Sequence, residues 1–207
     1  MQKKRKPSLN LILLGDPGAG KATQSRRLSK KYAFFDFDMG RELALARRND
    51  FQVDAILKRT ADKCILAPTK IVRKIFKDRL ESLPSTKGIV FDGTPKMLGE
   101  AKLVTRLFKK SLRPKPIVMY LSIPQSIIFQ RVMARKGYFK TKYSKRSDDS
   151  VMALKNRAKY YKKNIKEVVK YFKKMYTFVR IDASGTKLEV YSKIVKEIDK
   201  FLKSNLS

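Results

Sequence analysis

The residues best suited to chemistry are Gly15-Asp16-Pro17-Gly18-Ala19-Gly20-Lys21-Ala22-Thr23. Glycines at this spacing let successive backbone N–H groups point inward around a phosphate chain, and Lys21 adds a positive charge. An apolar stretch, Leu9–Leu14, runs into the loop as a strand would, and a polar helical stretch, Lys21–Tyr32, leaves it. The positive end of that helix dipole faces the same spot. A plain strand-to-helix turn with a surface lysine would need neither the glycines nor this context. The residue after the lysine usually brings a hydroxyl to Mg²⁺; here it is Ala22, and the hydroxyl comes one position later, on Thr23.

Phosphoryl transfer needs several fixed positive charges and little else. Arg131 and Arg135 are four apart and share a helix face, while Arg146 and Arg157 follow across a lysine-rich loop into the next helix. Taken singly, each arginine of so basic a chain reads as a solvated surface residue. Gly88-Ile89-Val90-Phe91-Asp92-Gly93 is an apolar strand ending in a carboxylate. Beside the phosphate loop Asp92 could hold Mg²⁺ directly or through water; in isolation it reads as an ordinary Asp-Gly turn. The chain has no histidine, which excludes a histidine base, a triad and a His-metal site. Its one cysteine, Cys64, excludes an intrachain disulfide and a multi-Cys zinc site, and fits a reducing, cytoplasmic setting. A phosphate oxygen as acceptor requires no strong base, so a histidine-free chain can still carry out the reaction.

These residues need a scaffold, and 207 residues with 43% hydrophobic content suit one domain with a substantial core. Strand candidates are Leu9–Leu14, Ala33–Phe37, Gly88–Phe91, Ile117–Ile123 and Tyr176–Ile181. Helix candidates fill the gaps: Lys21–Tyr32, Gly40–Arg48, Val53–Lys63, Pro68–Ser82, Lys96–Lys110, Pro124–Lys136, Ser150–Lys174 and Lys187–Lys203. The alternation predicts an α/β fold with a parallel sheet and helices on both faces, with ligands beyond the carboxyl ends of the strands. The apolar runs are about a strand long, so no membrane span is expected, and residues 1–8 read as a basic disordered tail. Fifty Lys and Arg against 18 Asp and Glu give a net charge of +32. Such a field favours polyanions, nucleic acid included, or else reflects solvated lysine faces; composition alone does not choose.

Taken together, the motifs resemble the adenylate kinase family of nucleoside monophosphate kinases, from Leu9 to about Leu202. The family's G-x-P-G-x-G-K-x-T loop is Gly15 to Thr23, so the displaced hydroxyl is the family's own habit, with Ala22 in place of its usual glycine. D-G-F-P-R-T appears as Asp92-Gly93-Thr94-Pro95-Lys96-Met97, R-x-x-x-R as Arg131 and Arg135, and R-x-D-D with a later arginine as Arg146-Ser147-Asp148-Asp149 and Arg157. Asp182-Ala183-Ser184-Gly185-Thr186-Lys187 resembles the turn against the ATP base. The resemblance implies a P-loop fold with a five-stranded parallel sheet and one kinase domain over 9–207. Its core would be 9–37, 69–135 and 148–207, with a helical monophosphate-binding insertion at 38–68 and a short lid at 136–147. It implies that Gly15, Pro17, Gly18, Ala19, Gly20, Lys21, Ala22, Thr23, Arg131, Gly185 and Lys187 bind ATP. Lys21, Arg135, Arg146, Arg157 and Asp92 would be catalytic, with Asp92 and Thr23 at Mg²⁺. It also implies a monomer acting on ATP and a nucleoside monophosphate.

The acceptor side departs from the family. Met39, Gly40, Arg41, Gly93, Lys96, Glu100, Asp148 and Asp149 take its positions, but Met39 stands where relatives carry a threonine and Ala44 where they carry a phosphate-gripping arginine. Arg41, Arg47 and Arg48 lie on the same helix and could take over that grip. Lys96 replaces a second arginine and supplies charge without the two-pronged fork. Glu100 replaces the glutamine that reads adenine. A carboxylate only accepts hydrogen bonds, which suits the adjacent N1–H and N2 amine of guanine better than adenine; alternatively Glu100 faces solvent and reads nothing. AMP is the acceptor the resemblance implies, and GMP or another monophosphate stays open. The second reading is an ATP-binding relative with weak turnover that associates with nucleic acid or a ribonucleoprotein.

Overall fold

The computed structural model describes residues 9–62, 67–128, 130–131 and 151–204. Five strands, β1 (Leu11–Gly15), β2 (Phe35–Asp38), β3 (Ile89–Asp92), β4 (Ile117–Ser122) and β5 (Phe178–Asp182), form one sheet in the order β2-β3-β1-β4-β5. Every pairing is parallel, with Leu11 opposite both Val90 and Ile117, Asp38 opposite Asp92, and Gly15 opposite Leu121. β1 is central, and the chain moves to opposite sides of it before and after β3. The end of β1 therefore opens at the topological switch point, where open parallel sheets bind ligands.

The connections are helical: α1 (Lys21–Tyr32), α2 (Met39–Asn49), α3 (Phe51–Asp62), α4 (Thr69–Ser82), α5 (Leu98–Lys110), α6 (Val151–Met175) and α7 (Lys187–Ser204). Residues 125–128 and 130–131 are also helical. The sheet is buried on both faces, which is why its strands read as continuous apolar runs. Ile12 and Leu14 point to one side, where Phe76 of α4, Phe108 of α5 and Phe172 of α6 pack. Leu11 and Leu13 point to the other, against Leu28 of α1 and Ile194 and Ile198 of α7. Each such side chain, fully withdrawn from water, contributes about 2 kcal/mol. Phe37 stacks on Phe76 at 5.2 Å and leans on Phe91 at 5.0 Å, tying β2 and β3 to α4.

Element boundaries differ from the sequence reading where capping chemistry intervenes. Ala33 closes α1 in the left-handed region (φ 56°), so β2 begins at Phe35 rather than Ala33. The α2–α3 break falls at Asp50, whose Oδ1 accepts from the amides of Gln52 (2.9 Å) and Val53 (3.1 Å), so α3 starts at Phe51 and not at Val53. α5 begins at Leu98 rather than Lys96, because Glu100 holds the preceding amides. The tail 1–8, the lid 136–147, and Arg135, Arg146, Asp148 and Asp149 lie outside the described residues. None of the described helices is long and apolar enough to cross a membrane.

Candidate active site

The phosphate loop leaves β1 under tight backbone constraint. At Gly15 (φ 147°) an added Cβ would stand 2.3 Å from the Leu121 carbonyl oxygen, so only glycine lets the chain turn this close to β4. The next amide, Asp16, donates to that same carbonyl at 3.0 Å. Gly20 (φ 83°) forms the N-cap of α1 and supplies no side-chain acceptor to its first amides. Those donors and the dipole are what an anion would meet. Lys21 arches back across the loop: its Nζ donates to the carbonyls of Gly15 (2.7 Å) and Asp16 (2.9 Å) and lies 6.0 Å from the centre of the Tyr161 ring. Its stem passes Gly93 so closely that a Cβ there would be 3.0 Å from Lys21 Cε. The ends of β1 and β3 thus meet around one lysine, as the sequence reading requires of Lys21 and Asp92.

The loop is braced by three residues that the motif does not name. Asp16 Oδ1 accepts from the Tyr120 hydroxyl at 2.7 Å, and its Oδ2 accepts from the Ile123 amide at 3.1 Å. The Tyr161 hydroxyl accepts from the Gly15 amide at 3.1 Å. Burial pushes both phenols upward, so they stay protonated. Asp16 occupies an unspecified position of the loop pattern, and the two tyrosines lie far along the chain on β4 and α6. The strand pairing of Tyr120 with Leu14 was the one signal that could have placed it beside the loop.

Asp92 is half-buried at the end of β3. Burial, and after it the nearby Asp38 and Asp36 carboxylates, push its acid up to about 6, while Lys21 and Lys96 pull the other way. Its anion is under-compensated by the protein, and the hydroxyl-bearing Thr23 sits on the first turn of α1. Among the described residues there is no cluster of three or more acidic, His or Cys side chains able to cage a metal. This donor set fits Mg²⁺, an ion held mainly by substrate phosphates and water with few carboxylates.

On the other side of the loop, Arg131 Nη1 donates to the carbonyl of Ala183 (2.8 Å), and its Nη2 to those of Ser184 (2.7 Å) and Gly185 (3.0 Å). The guanidinium therefore shapes the turn that precedes α7. Asp182 completes it, accepting from the Ser184 amide at 3.0 Å and hydroxyl at 2.7 Å, bonds that hold its acid down to about 2. Gln24 Nε2 of α1 donates to the Lys187 carbonyl at 3.0 Å, fastening this turn to the phosphate-loop helix. Gly185, Lys187 and Arg131 are thus gathered in one place.

The residues that the sequence reading assigns to a monophosphate are arranged differently from that expectation. Met39 is buried in the core cluster beside Phe37 and Phe76, which leaves its backbone rather than its side chain to meet a ligand. Asp38 caps α2, accepting from the amides of Gly40 (2.7 Å) and Arg41 (3.4 Å). Arg41 Nη2 is paired with Asp36 Oδ2 at 3.1 Å, and Arg47 with Asp54 Oδ1 at 2.6 Å, so a phosphate must compete for either of them. Glu100 does not face solvent: it is 5% exposed, and its Oε2 accepts from the amides of Lys96 (2.9 Å) and Met97 (3.3 Å). Burial pushes this acid up against those two amide bonds. The pattern of a glutamate at the third position of a helix is a recognised capping signal and was open to reading in the sequence. Arg157 is described as a backbone position on α6 only.

The adenylate kinase family model matches residues 13–177. Relatives named adenylate kinase align along almost the whole chain. The protein from Azobacteroides pseudotrichonymphae is 28% identical over 92% of this chain and 97% of its own length. That from Methanosarcina barkeri is 27% identical over 93% of this chain and all of its own length. A third, from Archaeoglobus fulgidus, is 27% identical over 86% and 92% of the two chains. With the phosphate loop, the β3 carboxylate and the parallel five-stranded sheet, these matches place the chain in the adenylate kinase family, as a phosphotransferase of the nucleoside monophosphate kinase class.

Proposed function

We propose that this protein transfers the γ-phosphoryl of Mg·ATP to AMP, acting as a monomer in the cytoplasm. The observation that carries the reading is the convergence of Lys21, the Gly15–Gly20 loop and Asp92 at the adjoining ends of β1 and β3. The loop amides and Lys21 hold the ATP phosphates, with Arg131, Gly185 and Lys187 at the base. Asp92 and Thr23 hold Mg²⁺, which when bound neutralises charge on the β- and γ-phosphates. Arg135, Arg146 and Arg157 supply positive charge to the transferring phosphoryl, with Asp148 and Asp149 orienting them. Gly40, Gly93, Arg41 and Lys96 face the acceptor, and closure of segments 38–68 and 136–147 excludes water. Each of these roles rests on the family pattern.

The capped state of Glu100 bears on the acceptor. Reading the two adjacent donors of guanine takes both carboxylate oxygens, and Oε2 already serves two backbone amides. Discrimination by this residue is therefore weak, and AMP stands as the acceptor by kinship. The deciding experiment is a panel of monophosphates with ATP and Mg²⁺, run with a no-acceptor ATPase control. AMP should be phosphorylated at least as fast as GMP, and Lys21→Ala should lower turnover by about two orders of magnitude or more. The departures at Met39, Ala44 and Lys96 favour the second reading, an ATP-binding relative with weak turnover. ATP binding with no turnover on any monophosphate would select it.

A further inference from the structure

The positive charge is not spread evenly over the two helical layers. In the α1–α7 layer, α1 carries the exposed bases Arg26, Lys30 and Lys31 and no acid, but on α7 acids interrupt the bases: Lys193 pairs with Asp182 at 3.2 Å and Lys200 with Glu197 at 2.7 Å, and Glu189 and Asp199 are exposed as well. The opposite layer differs. On α6, Lys162, Lys163, Lys166, Lys170, Lys173 and Lys174 are all exposed, and Glu167 is the one exposed acid on its described face. On the neighbouring α5, Lys102, Arg106, Lys109 and Lys110 are exposed, Lys110 pairing with Glu81 of α4 at 3.5 Å, and the helix's one acid, Glu100, is buried in its cap. Among the described residues, Lys162, Lys166, Lys170 and Lys174 have no ion-pair partner. They recur every four residues and so form a ridge on one side of α6, about 18 Å long at 1.5 Å per residue. α5 packs against α6 on the same face of the sheet, with helix axes about 8–10 Å apart, so its exposed bases stand beside the α6 ridge.

We infer that the α5–α6 face binds the phosphate backbone of double-stranded nucleic acid, without reading sequence. Two adjacent cationic ridges match a rod of closely spaced phosphates, and the energy of such contact comes from counterion release. A membrane is the poorer match. Surface-bound helices insert large apolar side chains beside their lysines, whereas α5 and α6 themselves expose none among the described residues: Leu112 lies just past the end of α5, and Leu45, Phe51, Ile56 and Leu188 lie on other helices. Single strands are bound chiefly by aromatic stacking platforms, and the exposed described residues of both helices include no aromatic side chain. None of these lysines is part of the nucleotide site, so the surface can be occupied while the kinase works.

The test measures fluorescence anisotropy of a labelled duplex of about 20 base pairs across about 50 to 200 mM salt. The proteins compared are the full chain, the variant Lys162→Gln, Lys166→Gln, Lys170→Gln, Lys174→Gln, and a charge-matched control on the opposite layer, Arg26→Gln, Lys30→Gln, Lys31→Gln, Lys196→Gln. Kinase activity, measured in parallel, reports that each variant is folded. The full chain should bind with a steep salt dependence. The α6 variant should lose about one unit of log–log salt slope per lysine that contacts phosphate and bind at least about tenfold more weakly, while the control changes far less. Absence of duplex binding at low salt, or equal loss in the two variants, overturns the proposal. So does binding to phosphatidylserine vesicles that depends on the α6 lysines while duplex binding does not.

Discussion

At the residue scale, Asp92 is a carboxylate that the fold itself disfavours as an anion. Its folded-state acid lies at about 6 against an ordinary 3.8. A raised carboxyl means that the folded state binds the proton more tightly than the unfolded chain. Stability from this group is then present at low pH and lost as pH rises through about 6. Asp92→Asn should therefore raise the melting temperature of the nucleotide-free protein at pH 7–8. The gain should shrink below pH 6 and vanish near pH 4, while turnover falls about a hundredfold or more. Thermal melts across pH check the first part and steady-state kinetics the second. Asp16 makes a different prediction. Removing its bonds to Tyr120 and the Ile123 amide in Asp16→Ala should cost about 1–2 kcal/mol in a urea melt. The loop loses its tether, so KM for ATP should rise about tenfold at an unchanged KM for the monophosphate, and Asp16→Asn, which keeps one acceptor, should recover part of the loss.

At the element scale, an ion pair ties α2 to α4. Glu42 of α2 is 6% exposed, and its Oε2 accepts from Arg79 Nε (3.1 Å) and Nη2 (2.7 Å) of α4; the same guanidinium lies over the Phe35 ring at 5.3 Å. Truncating Arg79 leaves a buried carboxylate without its partner. Arg79→Ala should destabilise the fold by about 2 kcal/mol and, if the proposed monophosphate role of α2 holds, raise KM for the monophosphate more than KM for ATP; equal changes in both would mean that the pair does not position α2 for the acceptor. The sequence made the elements legible to within about two residues because both of their signals are local: apolar runs for buried strands, and spacing for helices. It could not show that Glu42 finds Arg79, because nothing local links residues on different helices. The start of α5 differs for the opposite reason: the bond of Glu100 to the amides of Lys96 and Met97 is a local cap, a signal the sequence carries beside the base-reading role that the family pattern suggests for this position.

At the scale of the whole molecule, a net charge of +32 on 207 residues opposes compaction through self-repulsion. Raising salt from about 10 to 200 mM NaCl screens that repulsion and should raise the melting temperature by several degrees, and a flat or falling profile would contradict it. The sequence by itself determined the parallel α/β architecture, the phosphate loop and the kinase family, because strand–loop–helix order and glycine spacing are written along the chain. Only the tertiary structure decided what braces that loop, which acceptor-side residues are already engaged, and that among the described residues the lysines of α6 line up as a ridge without ion-pair partners. Tyr120, Tyr161, Glu42 and Arg79 acquire their partners through packing of distant segments. Burial and charge pairing are properties of neighbours in space, and composition counts residues without regard to their neighbours.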